Sequence, residues 1–297
     1  MRRNQVALWA ALLALVVAGG CAEAVKVGTT IASGTGYLSG SQKSAIDTVA
    51  EKTEKAARPI SESEEYYIGR AVAARILGRY RLYDNAAATT YVNNIGKAVA
   101  LASERPRTFG GYHFAILDTS EANAFACPGG IILVTRGMLE KAQNEDEVAA
   151  ILAHEVGHIS NKDGLASISQ ARWTEVVTAA GVGAAKSFAG ADIGGVVSLF
   201  EGAIDDVFKT LVVNGYSRSA ETQADAAAVR YTRKVGYNSA GLAEVLNRLS
   251  STSGGIMSTH PGTAERLQQL KAEAEKPAAA ETPAQKARLT RFKAVKL

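Results

Sequence analysis

The chain has 297 residues, 47% hydrophobic and 21% charged, which suffices for a sizeable core and excludes a wholly disordered polymer. Its net charge of +4 sits at the ends, on Arg2 and Arg3 and on Lys286, Arg288, Arg291, Lys293 and Lys296. The body is therefore slightly acidic, which excludes a nucleic-acid binder, and two cysteines, Cys21 and Cys127, exclude a disulfide scaffold.

Residues 1–20 read as an export signal: a basic start with Arg2 and Arg3, then an uncharged apolar run over 6–18. That run is shorter than the ~20 residues a membrane span needs. Ala18-Gly19-Gly20-Cys21 resembles a lipoprotein cleavage site, which implies a lipid on Cys21; ordinary signal cleavage near Ala22-Glu23-Ala24 is the alternative. The resulting expectation is a bacterial envelope protein, lipid-anchored on the periplasmic face of the outer membrane. Residues 21–57, rich in Gly, Ser, Thr and Ala, predict a tether followed by a marginal helix.

A folded domain is expected over 58–272. Ser61-Glu62-Ser63-Glu64 is a capping box, and Ile68, Val72, Ile76 and Leu77 follow at helical spacing. A second helix is predicted over 87–103, with Tyr91, Val92, Ile95 and Val99 on one face and Arg105-Pro106 beyond its end. The period then changes. Residues 112–117, 122–127 and 131–135 read as strands, the last two joined by Pro128-Gly129-Gly130. From Arg136 the pattern is helical almost to Glu275. Residues 176–213 are apolar, but Lys186, Asp192, Glu201, Asp205, Asp206 and Lys209 break every window long enough to span a bilayer. They read as a helical insertion, with a mobile lid left open. Residues 273–297, with Pro277 and Pro283, predict a disordered basic tail. The fold class is α+β, mainly helical, with a small sheet.

The chemistry concentrates after Asn144, whose pairing with Glu147 marks a helix start. His154 and His158 lie four residues apart, on one helix face and one turn from each other, so both can hold one zinc ion. Glu155 lies about 100° round the helix, placed to act on water beside the metal. A catalytic zinc takes three protein ligands. Glu221 is the candidate third, and Asp225, four residues on, is placed to accept a hydrogen bond from a ligating histidine. An exposed acidic helix start is the competing reading of that pair.

Four blocks resemble the HtpX-like and CAAX-prenyl-protease family of zinc metallopeptidases, particularly its periplasmic members. They are Asn123-Ala124-Phe125-Ala126-Cys127-Pro128-Gly129-Gly130, the segment from His154 to His158, the segment from Ser217 to Asp225, and Thr259-His260-Pro261 with Arg266. The resemblance implies a zincin-like domain holding one zinc per chain on His154, His158 and Glu221. Glu155 becomes the general base and Asp225 the outer partner. His260 and Arg266 become further catalytic residues; His260 either polarises the transition state or fills the open metal position in a latent form, unless His260-Pro261 only caps the next helix. Asn123, Ala124, Phe125 and Ala126 would border the cleft and bind substrate by strand addition. His113 reads as an ordinary strand residue and Cys127 as a small buried hydrophobe. The implied function is an endopeptidase acting on unfolded or misassembled envelope proteins, with envelope assembly machinery as a further partner. Two rival readings stay open: a periplasmic chaperone or assembly factor with latent or structural zinc, and an enzyme acting on cell-wall peptide.

Overall fold

The structure, a computed structural model, describes residues 22–34, single positions between 36 and 47, and then 59–168, 201–249, 256–260, 264–274 and 282–295. The expected signal, Cys21 and insertion residues 176–200 lie outside the described residues. The chain divides into two compact units, Met1–Ile60 with Ser169–Phe200, and Ser61–Ile168 with Glu201–Leu297.

In the first unit, α1 (Ala22–Gly34) is helical where composition predicts a tether. The Thr30 hydroxyl donates to the Lys26 carbonyl (2.7 Å), so it supports the helix rather than competing with it. Asp47 pairs with Lys43 (2.6 Å) and accepts from Thr29 (2.5 Å).

The second unit carries the chemistry. Its first helix, α2 (Glu62–Leu77), starts on the expected capping box: the Glu64 amide donates to Ser61 Oγ (3.3 Å), and the Ser61 amide donates to Glu64 Oε2 (2.9 Å). Ile68, Val72 and Ile76 form its buried stripe. Helix α3 (Ala86–Leu101) is capped by Asn85, and buries Tyr91, Val92, Ile95 and Val99. Three strands follow, β1 (His113–Leu117), β2 (Ala124–Cys127) and β3 (Ile131–Thr135), in the order β1-β3-β2. Strand β3 runs parallel to β1, with His113 opposite Ile131, and antiparallel to β2, with Ala124 opposite Val134. Strand β2 begins two residues later than predicted because the Ala122 carbonyl is taken by the Ile256 amide (2.6 Å).

The turn between β2 and β3 uses positive φ at Gly129 (78°) and Gly130 (105°). A Cβ on Gly129 would stand 2.7 Å from Tyr66 Cα, so glycine is needed for the approach to α2 as well. Buried Glu65 accepts the Gly129 amide hydrogen (3.0 Å) and holds Arg105 with both oxygens (2.7 and 2.8 Å).

After the short α4 (Arg136–Leu139) comes α5 (Glu145–Asn161), capped by Asn144 and buried from Glu145 through Ile159. It is the central helix. Val148, Ile151, Leu152 and Val156 share one core with Ile95, Phe114, Tyr231 and Val245. Then come α6 (Asp163–Ala166), α7 (Glu201–Lys209) running into a π-helical turn (Thr210–Asn214), α8 (Arg218–Lys234), α9 (Gly241–Leu249), α10 (Ile256–Thr259) and α11 (Ala264–Glu273). Helices α5 and α8 pack closely because a Cβ on Gly157 would lie only 3.1 Å from Ala224 Cα. Among the described residues no helix is long and apolar enough to cross a membrane.

The tail expected to be disordered over 273–297 is helical in part, and its residues 275–281, 296 and 297 lie outside the described residues. Residues Pro283–Ala294 form helix α12, capped by Thr282 and Gln285. Its partners are acidic residues far away in sequence, which composition could not reveal. Arg291 pairs with Glu145 (2.6 Å) and Arg288 with Asp146 (3.1 Å), both in the first turn of α5, while Phe292 and Val295 pack on the core. Arg291→Ala leaves the buried Glu145 carboxylate without its cation, so urea denaturation should show a loss of about 1–2 kcal/mol. Glu145→Gln in the same chain should recover most of it.

Candidate metal centre

Helix α5 presents His154 and His158 from one face, as their spacing predicts. The rings meet edge to face, with Nε2 atoms 3.1 Å apart. Helix α8, capped where the Ala220 amide donates to Ser217 Oγ (3.2 Å), brings Glu221 against them. One Glu221 oxygen lies 3.5 Å from His154 Nε2 and the other 3.6 Å from His158 Nε2. His260 follows α10 and places Nδ1 2.9 Å from Glu221 and 3.4 Å from His154 Nε2. These four residues are buried, and one ligand atom from each lies within 4.8 Å of all the others.

The spacing suits a metal. Two nitrogens bound tetrahedrally to zinc at ~2.1 Å lie roughly 3.4 Å apart. The charges suit it as well: among the described residues, Glu155, Glu221 and Asp225 are buried around the centre against the guanidinium of Arg266. Both Glu155 oxygens are buried with no hydrogen-bond partner among the described residues, and His260 Nε2 lies 3.8 Å from one of them. A carboxylate left open in this way is placed for a water or a reacting group.

Supporting groups surround the ligand atoms. His154 Nδ1 faces Asp225 at 3.1 Å. Arg266 donates to both Asp225 oxygens (2.7 and 2.8 Å), and its Nη1 lies 2.7 Å from Glu221. Its guanidinium is thus engaged with the two carboxylates. Burial opposes charge on His154, but hydrogen bonds that it donates to Asp225 and Glu221 outweigh that and push its pKa up to about 10. Burial, reinforced by His154, drives His158 well below the ordinary imidazole range. Burial raises Glu155 against the pull of His260 and His154. Glu221 is held below the usual carboxylate range because His260 and His154 outweigh its burial. A divalent cation at the centre would take over the role of the shared protons.

Strand β2 holds Ala124, Phe125 and Ala126 at the sheet edge, with Asn123 just before it; all four side chains are buried. Asn123 Oδ1 accepts from the Thr259 hydroxyl (3.1 Å), which ties the strand's start to the segment carrying His260. Cys127 is fully buried, and that burial, with Glu155 nearby, pushes its thiol far up. His113 stands exposed at the start of β1, 2.8 Å from the Gly110 carbonyl and outside the cluster.

Two neighbours of His158 escape sequence reading. Asp163 Oδ2 lies 2.7 Å from His158 Nδ1, and Tyr216 stacks on its ring at 4.0 Å. The available signals were slight: an acidic residue just past the helix end, and an aromatic one just before the cap of α8.

Residues 86–274 match Peptidase family M48. The chain is 22% identical over 248 residues to the beta-barrel assembly-enhancing protease of Escherichia coli (strain K12), covering 81% of this chain and 50% of that protein. It is 29% identical over 164 residues to metalloprotease LoiP of the same organism, covering 54% and 61%. It is 27% identical over 213 residues to a protease HtpX homolog of Dictyoglomus turgidum (strain DSM 6724 / Z-1310), covering 61% and 68%. The chain thus spans about half the length of the first of these relatives.

Proposed function

The chain belongs to Peptidase family M48, a family of zinc metallopeptidases, and from that premise we propose that it is an endopeptidase for unfolded or misassembled proteins of the bacterial envelope. The observation that carries this reading is the convergence of His154, His158 and Glu221 beside a buried Glu155 whose oxygens have no hydrogen-bond partner among the described residues. Zinc, when bound, supplies a Lewis acid that polarises the scissile carbonyl and acidifies water. His154, His158 and Glu221 hold it. Asp225 fixes the His154 tautomer, and Arg266 holds Asp225 and Glu221 in place. Glu155 takes a proton from the attacking water and returns it to the leaving nitrogen.

Substrate pairs along β2 from Asn123 to Ala126. Because those side chains are buried, the strand offers backbone, which suits unfolded segments of varied sequence. The envelope setting rests on the export signal and on lipidation of Cys21. It is supported by a relative whose name ties that protein to β-barrel assembly. The same support extends to envelope assembly machinery as a partner and to the periplasmic face of the outer membrane as the location.

His260 favours a second reading, in which the zinc is latent or structural, because its Nδ1 stands among the ligand atoms. One experiment tests both. Zinc per chain and cleavage of unfolded casein are measured for the parent and for His260→Ala, before and after chelation. One zinc in each, faster cleavage by the variant, and loss of cleavage on chelation that added zinc restores are the results expected of a latent protease. Loss of zinc and of folding in the variant would establish a structural metal. Zinc-loaded protein that cleaves nothing in either form would overturn the endopeptidase reading.

A further inference from the structure

We infer that Asp163 and Tyr216 are positioning residues that together fix the ring of His158; this rests on the reading of His158 as a metal ligand. Helix α5 stops at Asn161, and Lys162 then adopts φ 61°, the one positive φ on a non-glycine among the described residues. Side chains avoid this left-handed region, and where it persists the surroundings enforce it. Here the turn sends the chain back on itself. Asp163, five residues after His158 and beyond the helix end, returns its carboxylate to 2.7 Å from His158 Nδ1. Nδ1–H donates to it, which leaves the Nε2 lone pair directed at His154 and Glu221.

The hydrogen bond fixes the ring along one axis only and lets it tilt. Tyr216 supplies the other restraint. Its ring lies 4.0 Å from that of His158, centroid to centroid, with planes only 20° apart. Tyr216 is itself held by its amide, which donates to the Thr259 carbonyl (3.1 Å), and it directly precedes Ser217, the cap of the helix that carries Glu221. Its hydroxyl is buried with no partner among the described residues, so the ring face rather than the oxygen is the part put to use. Each α5 histidine therefore has its own carboxylate, Asp225 of α8 for His154 and Asp163 of α6 for His158.

The test uses the full chain and two readouts besides turnover: zinc affinity by competition with a chromophoric chelator, and the visible bands of the cobalt-substituted protein. Asp163→Ala should weaken zinc binding about 10–100-fold and shift the cobalt bands. Asp163→Asn keeps an acceptor oxygen and should bind zinc much as the parent does. Tyr216→Phe should leave the bands unchanged, and Tyr216→Leu should shift them. Parent-like affinity in Asp163→Ala, with zinc lost in His158→Ala, would overturn the positioning role and leave the ligand reading intact. Parent-like affinity in His158→Ala would overturn both. If Asp163→Ala fails to fold, Asp163→Asn decides: weak binding in a folded Asn variant overturns the proposal. Parent-like bands in Tyr216→Leu would remove Tyr216 from it.

Discussion

Glu155→Gln should lower kcat on unfolded casein by about 10²–10⁴-fold while zinc per chain and the folding midpoint stay at parent values. The side chain is fully buried, and neither of its oxygens has a hydrogen-bond partner among the described residues. An isosteric amide therefore gives up no contact that holds the fold. What it gives up is the ability to accept a proton. Burial raises the Glu155 carboxyl, which moves it from a weak base towards one able both to take a proton and to return it. The expected loss corresponds to roughly 3–5 kcal/mol of transition-state stabilisation. Undiminished cleavage by the variant would remove Glu155 from the reaction.

Arg266→Leu should have the largest effect on folding. The guanidinium reaches both oxygens of Asp225 and one of Glu221, and all three side chains are buried. Without it, two buried carboxylates one helical turn apart are left beside the histidines with no guanidinium between them. Breaking a buried ion network from one side costs about 3–5 kcal/mol. For a domain of this size that is on the order of a 10 °C fall in Tm. The melt should be recorded on metal-free protein, with a second melt after zinc is added. The first should show the fall, and the second should recover part of it, because the cation replaces the lost positive charge. An unchanged Tm in metal-free protein would show that Arg266 does not carry the two carboxylates.

What could be read from the sequence is what depends on neighbours along the chain. The pairing of His154 with His158 and the step from Glu221 to Asp225 follow from helical periodicity. Asn144 and Ser61 cap helices because their hydroxyl or amide oxygens lie three residues from an amide that needs a partner. Pro128-Gly129-Gly130 turns the hairpin because two of its residues tolerate positive φ. What could not be read depends on contacts across the fold. Asp163 reaches His158 only through the left-handed turn at Lys162, which no propensity predicts for lysine. The composition of α12 suggests a frayed end, and only the distant acidic turn at Glu145 and Asp146 gives its arginines a place to dock. The resemblance implies Arg266 as a catalytic residue, and only the fold reveals that its guanidinium also reaches Asp225 and Glu221. Cys127, expected to be a small buried hydrophobe, is fully buried and free.

The contact between Gly157 and Ala224 has a consequence for the metal centre. The separation of α5 and α8 there is set by backbone against backbone, which fixes the backbone spacing from which His154, His158 and Glu221 reach one another. Alanine at Gly157 would put its methyl 3.1 Å from Ala224 Cα and force the helices apart by a few tenths of an ångström. Two small residues outside the ligand set thus govern how closely the histidine helix and the glutamate helix can bring their side chains together.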